Sequence, residues 1–203
     1  MLVHEVMTRR PLTVTADTST KDALRLLDQH SITSMPVVDV GGTVVGVVSE
    51  ADLVRDALPP DSRAHMLPVT DWRHPQAQRV EDVMTHRPIT VRADLDLAEA
   101  TELIISTAVK SLPVVEGSRL VGMVSRRDVV HALARSDADI ASQLYDLYRS
   151  LGVYWLVEVQ EGYVTVDGPI GARARSLAET AAGTVPGVMS VKVVPGSPER
   201  SSS

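Results

Sequence analysis

The chain has 203 residues, 44% of them hydrophobic, with a net charge of −6 and no cysteine. That length suits one to two folded domains with a sizeable core. The acidic balance argues against a broad nucleic-acid surface, and the lack of thiols excludes disulfides, thiolate metal sites and cysteine nucleophiles.

Aromatic residues are only 3% of the chain and Phe is absent, so the core must be built from Val, Leu, Ile, Ala and Met. The opening Met1-Leu2-Val3-His4-Glu5 lacks a basic stretch followed by an apolar run, so it predicts no secretion signal. No run of about 18 uncharged apolar residues predicts a membrane span. The expectation is a cytoplasmic protein.

In chain order, Thr13-Val14 reads as a short extended piece after a proline-containing turn, and Thr18 to His30 as a helix with Ala23, Leu26 and Leu27 on its apolar face. Ser34 to Val40 and Thr43 to Val48 read as strands joined at Gly41-Gly42, a hairpin. Ser49 starts a helix expected to reach about Leu58. Residues 59–79 form a linker that includes Pro59, Pro60, Pro68, Pro75 and Trp72, and Trp72 either pins this connection to the surface or packs over a cleft. The same order then returns: a helix from Asp94 to Thr107, strands Leu112 to Glu116 and Arg119 to Val124, and a helix from Ser125 to Arg135. Beyond it, Asp137 to Leu151 reads as a helix, Val153 to Gln160 and Tyr163 to Val166 as strands around Glu161-Gly162, Ala172 to Ala182 as a helix and Val188 to Val194 as a strand. The order αββαβ over residues 136–195 predicts a separate small domain, and the Ser- and Pro-rich residues 196–203 a disordered tail.

The return is detailed. Val6-Met7-Thr8, Arg10-Pro11 and Thr13-Val14 recur 77 positions on as Val83-Met84-Thr85, Arg87-Pro88 and Thr90-Val91. Ser34 and Pro36-Val37-Val38 recur as Ser111 and Pro113-Val114-Val115, and Gly46-x-Val48-Ser49-x-x-Asp52 recurs as Gly122-x-Val124-Ser125-x-x-Asp128, the spacing falling to 76 once a residue is dropped at the hairpin turn. Each copy is too short to bury much core alone, so two copies are expected to pack on each other with a cleft between them.

Ser49 with Asp52, and Ser125 with Asp128, stand where a strand gives way to a helix. Ser followed three residues later by an acid is a capping box. The same geometry can hold a phosphate on free backbone N–H groups while the carboxylate accepts from ribose hydroxyls, and spacing alone does not separate these readings. Arg126 and Arg127 beside the second pair, with Lys110 and His131 expected nearby, would welcome negative charge, whereas Glu50 and Ala51 stand at the matching first-copy positions. The second copy is therefore the expected anion binder. The six histidines show no metal-ligand spacing, and no glycine-rich phosphate loop or nucleophile elbow occurs. The chain reads as a non-enzyme with no obligatory cofactor.

These motifs, Val-Met-Thr, Ser-x-Pro-Val-Val and Gly-x-Val-Ser-x-x-Asp in order in both copies, resemble tandem CBS domains forming a Bateman module, over 1–58 and 80–135. The resemblance implies mixed α/β βαββα repeats and a cleft for AMP, ADP, ATP or S-adenosylmethionine. Asp52 and Asp128 would hold ribose, Ser49 and Ser125 would lie near ribose or phosphate, and Thr13, Val14, Met35, Pro36, Thr90, Val91, Leu112 and Pro113 would flank the base. It also implies a homodimer, since such modules commonly pair through their helices.

Residues 136–195 resemble a BON domain through Val157-Glu158-Val159, Gly162-Tyr163-Val164-Thr165-Val166-Asp167-Gly168 and Val185-Pro186-Gly187-Val188. That implies contact with a phospholipid surface or a protein partner. The expected function is a ligand sensor that relays its state through this BON-like domain to a partner. The alternative is a dimerisation scaffold whose BON-like domain works at lipid or protein surfaces.

Overall fold

The computed structural model describes residues 1–55 and 78–195. Most of the expected linker, including Trp72 and its four prolines, the far end of the first-copy helix toward Leu58 and the tail 196–203 lie outside the described residues. The first copy contains α1 (Val3–Val6), β1 (Thr8–Arg9), α2 (Thr20–His30), β2 (Ser34–Val38), β3 (Val44–Ser49) and α3 (Glu50–Val54). After a 3-10 turn at Val80–Asp82, the second copy contains β4 (Thr85–His86), β5 (Val91–Arg92), α4 (Leu97–Ser106), β6 (Ser111–Glu116), β7 (Arg119–Ser125) and α5 (Arg126–Leu133). The last stretch holds α6 (Asp137–Ser150), β8 (Leu156–Gln160), β9 (Tyr163–Asp167), α7 (Ala172–Gly183) and β10 (Ser190–Val194), the expected αββαβ order.

The described residues divide into two compact units, 8–55 with 78–93 and 104–125, and 1–7 with 94–103 and 126–195. The first unit carries two sheets, ordered β1-β7-β6-β5 and β2-β3-β4. Each contains a strand from the other copy. Thr8 and Arg9 pair antiparallel with Met123 and Gly122, and Thr85 and His86 pair with Val47 and Gly46, so the opening strand of each copy completes the closing hairpin of its twin. Gly46 permits this approach, because a Cβ there would sit 2.6 Å from Met84 Sδ and 3.1 Å from the Thr85 carbonyl oxygen. Val14, read as extended, forms a parallel bridge with Val37, and Val91 and Arg92 pair parallel with Val114 and Val115.

Local chemistry sets the boundaries of these elements. α2 starts later than the pattern suggested because Ser19 takes the N-cap, its hydroxyl accepting from the Asp22 N–H at 3.0 Å. It buries Ala23 and Leu27 against Val14, Met35, Val37, Val48, Leu53 and Val80. β2 stops at Val38 because the Asp39 carboxylate accepts from the N–H groups of Gly41 and Thr43, both at 2.9 Å, and begins the turn. The two hairpin turns also bond to each other, Val44 N–H to the Ser118 carbonyl at 3.2 Å and Leu120 N–H to that of Gly42 at 3.1 Å.

In the second unit α1 is tied to the start of α4 by Val3 N–H to the Leu95 carbonyl at 2.9 Å and Leu97 N–H to that of Met1 at 2.8 Å. The C-terminal sheet has the order β10-β9-β8, with β8 and β9 antiparallel and β9 and β10 parallel across α7. Glu161 and Gly162 both adopt positive φ, 49° and 78°, as a two-residue hairpin turn requires. Asp137 accepts from both of their N–H groups, at 2.7 and 2.9 Å. Ile140, Leu144 and Tyr148 of α6 and Ala178, Ala181 and Ala182 of α7 cover Val164 and Val166 of the sheet. Trp155 meets Tyr148 edge-on at 5.0 Å between ring centroids.

Candidate ligand-binding site

β3 ends at Ser49, whose extended backbone turns into α3. The Asp52 Oδ2 accepts from the Ser49 N–H at 2.9 Å and from its hydroxyl at 2.6 Å, while the Asp52 N–H reaches Ser49 Oγ at 3.4 Å. The capping box is thus closed, and Asp52 Oδ1 takes no part in it. Asp52 and Ser49 are half-buried.

Residues expected to flank a base divide by burial. Met35 and Val14 belong to the first-copy core, at 0% and 5% exposure, and Leu112 and Val91 are equally enclosed, at 1% and 4%. Pro36 and Pro113 are buried beside them, while Thr13 and Thr90 are exposed. Backbone at Val14 is held in place: its N–H donates to the Pro36 carbonyl at 3.2 Å and its own carbonyl accepts from the Val38 N–H at 3.0 Å. In the turn after Val14, the Thr15 hydroxyl donates to Asp17 and holds that carboxyl below the usual carboxylate range.

The two copies meet directly at this end of the hairpins. The hydroxyls of Ser34 and Ser111 lie 2.6 Å apart, and Lys110 Nζ donates to Glu50 Oε2 at 3.2 Å. Lys110, expected beside the second Ser-Asp pair, is therefore partnered with Glu50, next to the first. The repeat spacing could have pointed to the serine contact, since residues 77 apart sit at equivalent places. Nothing in the sequence marked the Lys110–Glu50 pairing, which joins positions 60 apart.

Ser125 closes β7 and α5 begins at Arg126. Arg126 and Arg127 are exposed and Asp128 is half-buried in the first helical turn. The far end of α5 reaches the loop between α7 and β10. Just beyond that helix, Arg135 Nη1 donates to the Pro186 carbonyl at 3.1 Å and to Gln143 Oε1 at 2.7 Å. Gly187, at φ 94°, lies so close that a Cβ would be 2.8 Å from Ile140 Cδ1 and 3.1 Å from the Ala132 carbonyl oxygen. An open groove of about 520 Å³ runs beside this junction, lined by His131, Arg135, Ser136, Asp139, Gln143 and Asp146. Among the described residues no group of three or more His, Cys, Asp or Glu is placed to hold a metal ion, and no helix is long and apolar enough to cross a membrane.

The pattern that defines the CBS domain matches residues 3–58 and 80–135, just over half of the chain. The chain belongs to the CBS domain family and carries it as a tandem pair, a Bateman module. Among its relatives, protein MJ1426 of Methanocaldococcus jannaschii is 28% identical over 154 residues, 66% of this chain and 91% of that protein. The chloroplastic CBS domain-containing protein CBSX2 of Arabidopsis thaliana is 34% identical over 135 residues, 59% of this chain and 57% of that protein, so the match spans just over half of that relative's length. The crystal structure of CBSX2 in complex with AMP shares 33% identity at a TM-score of 0.52, covering 64% of this chain and 94% of that one. The CBS domain pair of MJ0100, in complex with 5′-methylthioadenosine and S-adenosyl-L-methionine, shows the same fold at a TM-score of 0.53 and 23% identity, again over 64% and 94% of the two chains.

Proposed function

We propose that this chain is a non-enzymatic regulatory protein whose CBS pair binds an adenosine-containing metabolite, AMP, ADP, ATP or S-adenosylmethionine, and whose C-terminal domain passes the ligand state to a partner. The observation that carries this reading is the AMP complex of CBSX2, a relative that shares both fold and a third of its residues with the pair. Asp52 and Asp128 are the ribose acceptors, Ser49 and Ser125 lie beside them, and Arg126 and Arg127 favour phosphate at the second copy. Backbone at Thr13-Val14, Met35-Pro36, Thr90-Val91 and Leu112-Pro113 flanks the base, the side chains of Val14, Met35, Val91 and Leu112 being committed to the core.

The relay runs along α5. Its first turn holds Arg126, Arg127 and Asp128, its last turn brings the Ala132 carbonyl close to Gly187, and just beyond its end Arg135 donates to the Pro186 carbonyl. A ligand alters those contacts only by binding one arrangement of α5 more tightly than another. The BON-like motifs of 136–195 support a protein or phospholipid surface as the recipient, and the module works as a homodimer in the cytoplasm.

The closed Ser49–Asp52 box favours a second reading, a scaffold that needs no ligand. Calorimetric titration of the full chain with AMP, ATP and S-adenosylmethionine separates the two. The sensor reading expects heat with at least one of them, weakened in Asp128→Ala. Absence of heat with all three establishes the scaffold.

A further inference from the structure

The two Ser-x-x-Asp positions differ in charge in a way that the copies' likeness conceals. Glu50 directly follows Ser49, and its carboxylate is bound by Lys110 of the other copy. The repeat places Arg126 opposite Glu50 and Thr33 opposite Lys110, so the second copy has no counterpart of this ion pair. Glu50, Asp52 and Lys110 together carry one negative charge, whereas Arg126, Arg127 and Asp128 together carry one positive charge.

We propose that the Glu50–Lys110 pair sets the ligand class of the first copy, admitting adenosyl ligands whose 5′ substituent is neutral or zwitterionic and disfavouring 5′-phosphates, so that the two copies hold different ligands. This rests on the adenosyl-ligand reading above and adds which chemistry each copy takes. A phosphate entering beside Ser49 meets the Glu50 carboxylate, whose cation Lys110 is already bound to it. To use Lys110 it must displace Glu50 and then face that like charge at short range. A zwitterionic substituent has no such conflict, because its ammonium replaces Lys110 on Glu50 while its carboxylate takes Lys110. The pair is suited to that exchange. Both side chains are about half exposed, 50% for Lys110 and 47% for Glu50, so water screens their attraction and holds the pair only lightly.

The test is calorimetric stoichiometry on the full chain, with AMP and with 5′-methylthioadenosine as probes. The wild type is expected to take one AMP and two 5′-methylthioadenosine per chain. Glu50→Gln should raise AMP to two per chain, tightening the weak site about tenfold, and leave 5′-methylthioadenosine unchanged, which also shows that the variant is folded. Lys110→Gln should leave AMP at one and 5′-methylthioadenosine at two. Two equal AMP sites in the wild type, or one AMP site persisting in Glu50→Gln, overturns the proposal while the adenosyl-ligand reading stands. No heat from either probe removes that reading, and this inference with it.

Discussion

Ser34 and Ser111, equivalent residues of the two copies, touch through their hydroxyls at 2.6 Å. A residue that meets its own counterpart lies on the two-fold relation between the repeats, and Ser111 is only 7% exposed there. Removing one hydroxyl leaves the other without its partner. Ser34→Ala and Ser111→Ala are each expected to lower stability by about 1 kcal/mol in denaturant titrations. The double variant should cost clearly less than the sum, because neither hydroxyl is then stranded.

At Gly46 the exchanged strand comes close enough to exclude a side chain. A side chain there collides with Met84 Sδ and with backbone at Thr85. Gly46→Val should destabilise the chain by about 1–3 kcal/mol, and hydrogen exchange at Thr85 and His86 should accelerate along with the loss. Unchanged protection at those amides would disprove the exchange.

Tyr148 is buried in the packing of α6 and α7 on the C-terminal sheet, with 1% exposure and its hydroxyl donating to the Ala178 carbonyl at 2.9 Å. Burial pushes its phenol up to about 12. In the unfolded chain a tyrosine ionises near 10, so the folded state holds this proton more tightly. The contribution is complete below about 10 and is lost as pH rises toward 12. Alkaline unfolding followed by circular dichroism should therefore soften in Tyr148→Phe, which is also expected to be about 1 kcal/mol less stable at neutral pH.

The grip of Arg135 on Pro186 tests the relay. Arg135→Ala should leave AMP affinity unchanged, since this side chain touches neither Ser-x-x-Asp position. It should abolish any slowing of hydrogen exchange that AMP produces in residues 185–189. If AMP still slows exchange there in the variant, the signal travels by another route.

Much of the architecture was legible because it was local. Gly41-Gly42 and Glu161-Gly162 marked turns, Ser49 marked a helix start, and the apolar runs of 34–40 and 112–116 marked buried strands. The strand exchange was not legible. Thr8–Arg9 and Thr85–His86 are two residues long, too short for any period, and their partners are chosen by folding over more than 30 positions. The Ser-x-x-Asp positions and the charges of Arg126, Arg127 and Glu50 beside them were read from the sequence, but the pairing of Lys110 was not, since it finds Glu50 only once both hairpins are in place. The αββαβ order of 137–194 emerged from its turns, while its likeness to BON domains rests on the short motifs alone.

Because each copy lends its opening strand to the other's sheet, neither owns a finished ladder. A protease cut between the copies should leave a nicked particle that still migrates as one. Expression of either copy alone would leave bare strand edges seeking any substitute, with precipitation the foreseeable result.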